Sequence, residues 1–257
     1  MKQNKAKQTK KFIDPATFPH VAGLLGNKNR ANAWLTTETA RNFSQRYFFD
    51  ISKRAQYPFR IHFSDDNRKR DGIPTFAFNP FLTCPGMPCL KPCYATKGTF
   101  LTVNKLKTEV ENTAYYFFNR KQFLKELDAY LTLNEIFFPY FRYFEGGDFI
   151  SAQNVKDFLE ISKKHPKIKF LIRTKKAEFV KACVKNRYEL PDNVVLRLSN
   201  FSFSNFSEFE KQNDFLTTDC KKNPGKGPNV CPGSKVGCRR CLMCWNKTIE
   251  NITFEKH

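Results

Sequence analysis

The sequence predicts an α/β protein with parallel strands and a cysteine-rich C-terminal appendix. Two observations carry that expectation. Short apolar or aromatic runs alternate with amphipathic stretches of about a dozen residues, which is the pattern of parallel βαβ units. Such units are right-handed and gather ligands where their strands end. The cysteines fall into two tight groups, one inside the α/β pattern and one beyond it.

Residues 1–30 form a basic, flexible segment interrupted by Pro15, Pro19, Gly23 and Gly26, with five lysines among the first eleven residues. No apolar stretch follows those lysines, so a secretory signal is not expected. Residues 31–214 carry the α/β pattern. The polar run Ser64 to Gly72 reads as a turn, and Ile73 to Phe78 alternates as a strand. Thr102 is placed to cap a helix with Val103, Leu106, Val110 and Phe117 on one side. A second amphipathic stretch carries Phe123, Leu124, Leu127, Tyr130 and Leu131. Ile136 to Phe144 is an aromatic strand that ends in Glu145-Gly146-Gly147-Asp148. Ser151 is placed to cap a helix whose core face is Val155, Phe158, Leu159 and Ser162. Lys167 to Arg173 reads as a strand, Lys175 to Asn186 as a helix, and Val194 to Leu198 as a fourth strand ending at Ser199-Asn200. Residues 215–257 are rich in Cys, Lys and Gly and read as a metal-organised appendix.

Composition bounds the function. The net charge of +20 attracts phosphate, so a nucleic acid or nucleotide is the favoured partner class. No run of eighteen apolar residues occurs, so no membrane helix is expected. Nine cysteines, an odd and clustered set, fit metal binding in a reducing compartment better than a secreted disulfide framework, and a cytoplasmic location follows. No Walker loop or paired nucleotide-binding glycine fingerprint is present. His20, His62, His165 and His257 lack ligand spacing and read as ordinary surface or strand residues.

The first cysteine group is Thr83-Cys84-Pro85-Gly86-Met87-Pro88-Cys89-Leu90-Lys91-Pro92-Cys93-Tyr94-Ala95. Three prolines and a glycine keep it irregular, so Cys84, Cys89 and Cys93 are free to turn toward one point. Three thiolates suit a 4Fe-4S cluster with one open iron, or zinc with a fourth ligand from elsewhere. The loop follows a strand and precedes a helix, which places it at the C-terminal edge of a parallel sheet. Gly146-Gly147-Asp148 closes the neighbouring strand. Glycines there allow close approach or positive φ, and Asp148 can accept from an ammonium group or simply sit near the next helix N-terminus. Glu145 reads as a base, a ligand or a turn cap. The second group, Cys231, Cys238, Cys241 and Cys244, has ferredoxin-like spacing with a remote Cys-Pro, and zinc is the alternative. Cys220 is an alternative ligand there. Cys183 lies among Phe179, Val180 and Val184 and reads as a core thiol.

A strand, a three-cysteine loop ending in Tyr94, a helix, and a strand ending in Gly146-Gly147-Asp148 together resemble the radical S-adenosylmethionine (SAM) superfamily. More closely, TCPGMPCLKPCYA, RYFEGGDFIS with KIKFLIRTKK, and CPGSKVGCRRCLMCW resemble the phage and plasmid family of gene product 88, over about residues 60–247. The resemblance implies an incomplete (β/α) barrel and a 4Fe-4S cluster on Cys84, Cys89 and Cys93, reduced by an electron donor to cleave SAM to a 5′-deoxyadenosyl radical. It implies that Tyr94 packs beside the cluster and that Gly146, Gly147 and Asp148 line the SAM amino site. It also brings Ser199 and Asn200 toward the ribose. Two departures stand out. Four and three residues separate the cysteines where the superfamily usually has three and two, and Asp148 stands where a Glu is usual. The expected function is therefore a radical-SAM-like iron–sulfur enzyme with an auxiliary C-terminal cluster. The alternative is a non-catalytic, zinc-stabilised nucleic-acid-binding protein.

Overall fold

The computed structural model describes residues 35–54, 56–64, 72–84, 93–200, 215–221, 225, 227–232 and 236–255. The expected N-terminal segment 1–30 lies outside the described residues, as do Cys89, His20 and His257. Among the described residues no helix is long and apolar enough to cross a membrane.

The sheet has seven strands in the order of the chain: β1 (Phe63–Ser64), β2 (Thr75–Phe76), β3 (Tyr140–Tyr143), β4 (Lys169–Thr174), β5 (Val194–Asn200), β6 (Leu216–Lys221) and β7 (Asn251–Glu255). β1 pairs antiparallel with β2, and every later neighbour is parallel. Strands that neighbour one another in chain order are singly wound. Right-handed crossovers then place the connecting helices on one face, and the parallel sheet curls into a half-barrel.

The helices α1 (Thr37–Ser52) and the short α2 (Pro80–Thr83) pack against α3 (Val103–Phe118), and α3 with α4 (Arg120–Asn134) and α5 (Ala152–Lys164) covers that outer side. The caps are local chemistry. Thr36 accepts from the Thr39 amide at 3.2 Å, and Ser151 accepts from the Asn154 amide at 3.1 Å, as its sequence position predicts. On α1, Ala40, Phe43, Tyr47 and Ile51 recur at helical spacing and pack against Leu106, Val110 and Ala114 of α3.

Alternation along the strands sorts the sheet into two unlike faces. The outer face carries Phe141, Tyr143, Phe170, Ile172, Val194, Leu196 and Leu198. It meets Phe123, Leu127 and Leu131 of α4 and Val155 and Phe158 of α5. Tyr143 stacks on Phe158 at 4.8 Å and on Phe170 at 5.3 Å. Each such ring contributes roughly 1.5–3 kcal/mol through burial, with ring geometry adding a fraction. The inner face carries Tyr140, Arg142, Leu171, Arg173, Val195, Arg197 and Leu216. Trp245, Leu242, Cys238 and Cys244 lie against its apolar members.

The structure departs from the sequence reading in several places. Ser64 lies in β1 rather than in a turn, and Thr102 precedes α3 without capping it, its hydroxyl donating to the Thr99 carbonyl. Strand β3 begins at Tyr140, because Ile136 and Phe137 sit in an exposed turn at 78% and 69% exposure. Phe117 is exposed at the end of α3 rather than on its core side. The helix expected over 175–186 is only α6 (Ala177–Lys181). Asn186 instead caps the next 3-10 turn, accepting from the Tyr188 amide. Finally, residues 215–257 are more than an appendix. They supply β6 and β7, which extend the parallel sheet, and they cover its inner face with α7 (Cys238–Cys241) and a 3-10 turn at Met243–Trp245.

Candidate functional site at the C-terminal rim

The rim is built around the turn after β3. Phe144 has φ of 59°, a left-handed conformation uncommon for an aromatic residue. Its ring is held between Phe76, Phe78, Phe149 and Phe158, and that packing offsets the backbone cost. Gly146 follows, and its carbonyl accepts from the Phe78 amide at 3.1 Å. Gly147 has φ of +73°, and a Cβ on it would lie 2.5 Å from the Phe78 carbonyl oxygen. Only glycine fits there. The glycine pair thus joins the end of β3 to the segment leaving β2 at the closest backbone approach.

That segment carries the first cysteine group. Asn79 caps α2, and Cys84 terminates it with its amide on the Pro80 carbonyl at 3.0 Å. Thr83, next to Cys84, accepts from the Asp148 amide at 3.1 Å, which ties the start of the cysteine loop to the glycine turn. The loop returns at Cys93, whose carbonyl accepts from the amide of Thr96 at 3.2 Å and its hydroxyl at 2.9 Å. Tyr94 then donates its hydroxyl to the Glu145 carbonyl. Ala95 stands 3.4 Å from where a Gly146 Cβ would be. Both ends of the loop are therefore anchored to one turn, on one rim. Cys84 and Cys93 are half-buried there, and Cys89 lies outside the described residues.

Three carboxyl groups surround the turn, and they differ. Asp148 is fully buried, with its oxygens accepting from the Phe149 and Lys175 amides at 2.8 Å each and from the Thr174 hydroxyl. Burial pushes its carboxyl up against the pull of Lys175. Its side chain faces the end of β4, so it braces two strand ends together. Glu145 forms a 2.8 Å ion pair with Lys105. Glu109 is the residue the sequence reading missed. It is buried on the apolar side of α3, both carboxyl oxygens lack a hydrogen-bond partner, and burial pushes its pKa to about 8 despite Lys105 at 3.7 Å. One of its oxygens lies 3.4 Å from where a Gly146 Cβ would be. Glu109 thus takes up or releases a proton near neutrality, directly beside the turn. Its signal in the sequence is a carboxylate between Leu106 and Val110 on an otherwise apolar stripe.

The inner face adds cations. Arg197 donates to the carbonyls of Cys244 at 2.9 Å, Ile249 at 2.8 Å and Asn246 at 2.7 Å. It holds the C-terminal segment onto β5, and burial lowers its pKa to about 10. Arg142 contacts the Tyr94 hydroxyl at 3.3 Å, while its Nε is buried with no partner. Arg173 lies over the Phe254 ring at 4.8 Å, and burial and the neighbouring Arg142 both push it down.

The second cysteine group borders these arginines. Cys238 and Cys244 pack against Leu171, Val195 and Trp245. The Cys241 thiol is pushed up by burial and then by Cys244 and Cys231. Leu242, at φ of 49°, wraps the chain between them. Among the described residues no three Cys, His, Asp or Glu side chains gather into a group that could hold a metal ion. Cys231 is tethered to β7 through its amide on the Thr253 carbonyl at 2.9 Å, apart from α7 in sequence. The backbone of Cys220 lies in β6, paired with Phe254. Cys183 donates to the Ala152 carbonyl and packs on the core. Ser199, half-buried on β5, accepts from the Thr218 hydroxyl at 3.2 Å, and Asn200 pairs with Asp219 through the backbone. His62 and His165 are bonded to Glu111 at 2.7 Å and Asp128 at 2.8 Å. A cavity of about 360 Å³ beside Tyr140, Lys169 and Trp245 opens at the strand starts, away from the cysteine loop.

Fold and rim define a class: a singly wound, parallel α/β half-barrel with a cysteine loop, a glycine turn and a buried titratable acid at its C-terminal edge. The sequence profile of the gene product 88 family matches residues 65–205, and the chain belongs to that family. No curated protein and no solved structure matches the chain.

Proposed function

We propose that the protein is a radical-SAM-like iron–sulfur enzyme whose rim loop holds a 4Fe-4S cluster through Cys84, Cys89 and Cys93. One observation carries the reading. The two described ends of the cysteine loop are bonded to the same glycine turn, through Thr83 to the Asp148 amide and through Tyr94 to the Glu145 carbonyl. An open coordination position on the loop and a ligand held on the turn would then be neighbours. Three thiolates from one loop are a donor set that suits such a cluster. When bound and reduced, the cluster supplies reductive cleavage of SAM.

The chain's own residues have distinct parts in this reading. Gly146 and Gly147 let the turn close onto the Phe78 backbone, which sets the position of the rim, and Tyr94 fixes the loop beside them. Lys105 holds Glu145 at the turn, so Glu145 and Glu109 are the carboxyl groups nearest to receive an ammonium group there. Asp148 acts through the strand ends it braces. In this reading Cys231, Cys238, Cys241 and Cys244 are the donors of the auxiliary metal site and would have to draw together on binding, since the described structure does not gather them.

The test is turnover. Anaerobically reconstituted protein, given SAM and a strong reductant, is expected to release 5′-deoxyadenosine, and Cys93→Ser is expected to release none. Cluster-replete protein that leaves SAM intact refutes the enzymatic reading. Colourless protein carrying zinc supports the nucleic-acid-binding alternative instead.

A further inference from the structure

We propose that the guanidinium pair of Arg142 and Arg173, on the inner face of the half-barrel, binds the terminal phosphate of a small-molecule ligand. This goes beyond the cluster chemistry and does not depend on it. Arg142 is the penultimate residue of β3, and Arg173 is the penultimate residue of β4. Arg142 pairs with Leu171, so Arg173 lies two residues further along the next strand on the same face. Strand spacing and rise put their Cα atoms about 8 Å apart, a span two guanidinia bridge through one anion. Both side chains are half-buried and stand near the strand ends, where ligands of parallel sheets collect.

The donors are largely unspent. Arg197, the third arginine of this face, places its donors on carbonyls of the C-terminal segment. By contrast, Arg142 makes one 3.3 Å contact to the Tyr94 hydroxyl and leaves Nε buried without an acceptor. The partner named for Arg173 among the described residues is the face of Phe254, which accepts no N–H bond in the guanidinium plane. The groups facing the pair are Tyr94, Cys238, Cys244 and Glu145. Glu145 is already paired with Lys105, and the Cys238 and Cys244 sulfurs are weak acceptors as thiols and, when they hold a metal, offer no pair of oxygens to the guanidinium forks. Two like charges held side by side therefore call for an oxyanion. A dianion matches two guanidinia, which favours a phosphomonoester over the monoanionic diester of a nucleic-acid backbone or a single carboxylate.

The experiment measures thermal stabilisation of the full chain by inorganic phosphate, with ionic strength held constant by chloride. Wild type is expected to show a saturable rise in Tm, weakened at least tenfold in apparent affinity in Arg142→Gln and in Arg173→Gln. Without phosphate, Arg173→Gln is expected to melt no lower than wild type, because it removes one of two crowded like charges. Arg173→Lys keeps the charge without the fork and is expected to bind with intermediate affinity. Acetate and a dinucleoside phosphodiester are expected to bind more weakly than phosphate and adenosine 5′-monophosphate. The double variant Lys163→Gln/Lys164→Gln, at exposed positions, is expected to behave as wild type. An undiminished phosphate response in both arginine variants overturns the proposal. So does an equal response to acetate or the diester, a response lost only with the lysines, or an arginine variant that loses C-terminal metal while keeping its phosphate response.

Discussion

Replacing Gly147 by alanine probes the joint between the two halves of the rim. The new Cβ would stand 2.5 Å from the Phe78 carbonyl oxygen, 2.8 Å from its carbonyl carbon and 2.9 Å from its Cβ. All three atoms belong to the backbone or its first side-chain carbon, so no rotamer change relieves the overlap. The left-handed φ costs an L-residue about 1–2 kcal/mol. Forcing a methyl into a packed site adds about 1–3 kcal/mol. The expected loss is about 2–5 kcal/mol, which at this chain length lowers Tm by roughly 5–15 °C. Gly72→Ala is the matched control, with φ of +75° and nothing within 4 Å of the added Cβ. It carries the backbone cost alone, about 1–2 kcal/mol. Urea unfolding of both variants gives the difference directly. Equal losses would show that the Phe78 contact does not clamp the turn, and the account of the rim would fail.

Glu109→Gln removes a buried acid whose folded pKa of about 8 lies above its ordinary 4.5. The stability tied to its proton is present below pH 4.5 and is lost as pH rises through about 8. The substitution should therefore stabilise the protein most at pH 8 and above, with a ceiling of about 5 kcal/mol; a pH-independent effect in chemical denaturation would contradict the buried, unpartnered carboxyl. Arg197→Met should cost about 3–5 kcal/mol by orphaning carbonyls of the C-terminal segment, and should expose that segment to limited proteolysis. An uncut C-terminus would show that the arginine does not hold it. Tyr94→Phe should cost about 1 kcal/mol, the worth of one hydrogen bond, and should raise hydrogen exchange at the rim around Cys93 and Ala95. Unchanged exchange would separate the tyrosine from the loop.

The strands from β3 to β5 were legible because their apolar runs are bounded by turns, and α5 because Ser151 announces its start. The helix α1 went unread although Thr36 follows Ala33-Trp34-Leu35 and Ala40, Phe43, Tyr47 and Ile51 have helical spacing, because polar and charged residues interrupt that stripe at nearly every other position. β6 and β7 were hidden for a different reason. Their sequences, LTTDCK and NITFE, carry no continuous apolar run, so nothing local marked them as strands of a parallel sheet. The glycine turn was recognised, and its closeness to the cysteine loop followed from both lying at strand ends. Which carboxyl faces the turn was not legible. Asp148 and Glu145 are three residues apart, and only the packing of β4 directs Asp148 away. The arginines were legible in principle. YFRY, FLIRT and VLRLS each carry one arginine inside a strand, and parallel register sets them on one face.

Metal analysis of rim and C-terminal cysteine variants reaches the central claim most directly. Anaerobically purified wild type is expected to carry iron and acid-labile sulfide, near four of each for every 4Fe-4S cluster. Cys84→Ser/Cys93→Ser is expected to lose one cluster's worth while Cys231→Ser/Cys244→Ser leaves the rim cluster in place. Iron content unaffected by the rim substitutions, or zinc in its place in the wild type, would contradict the account.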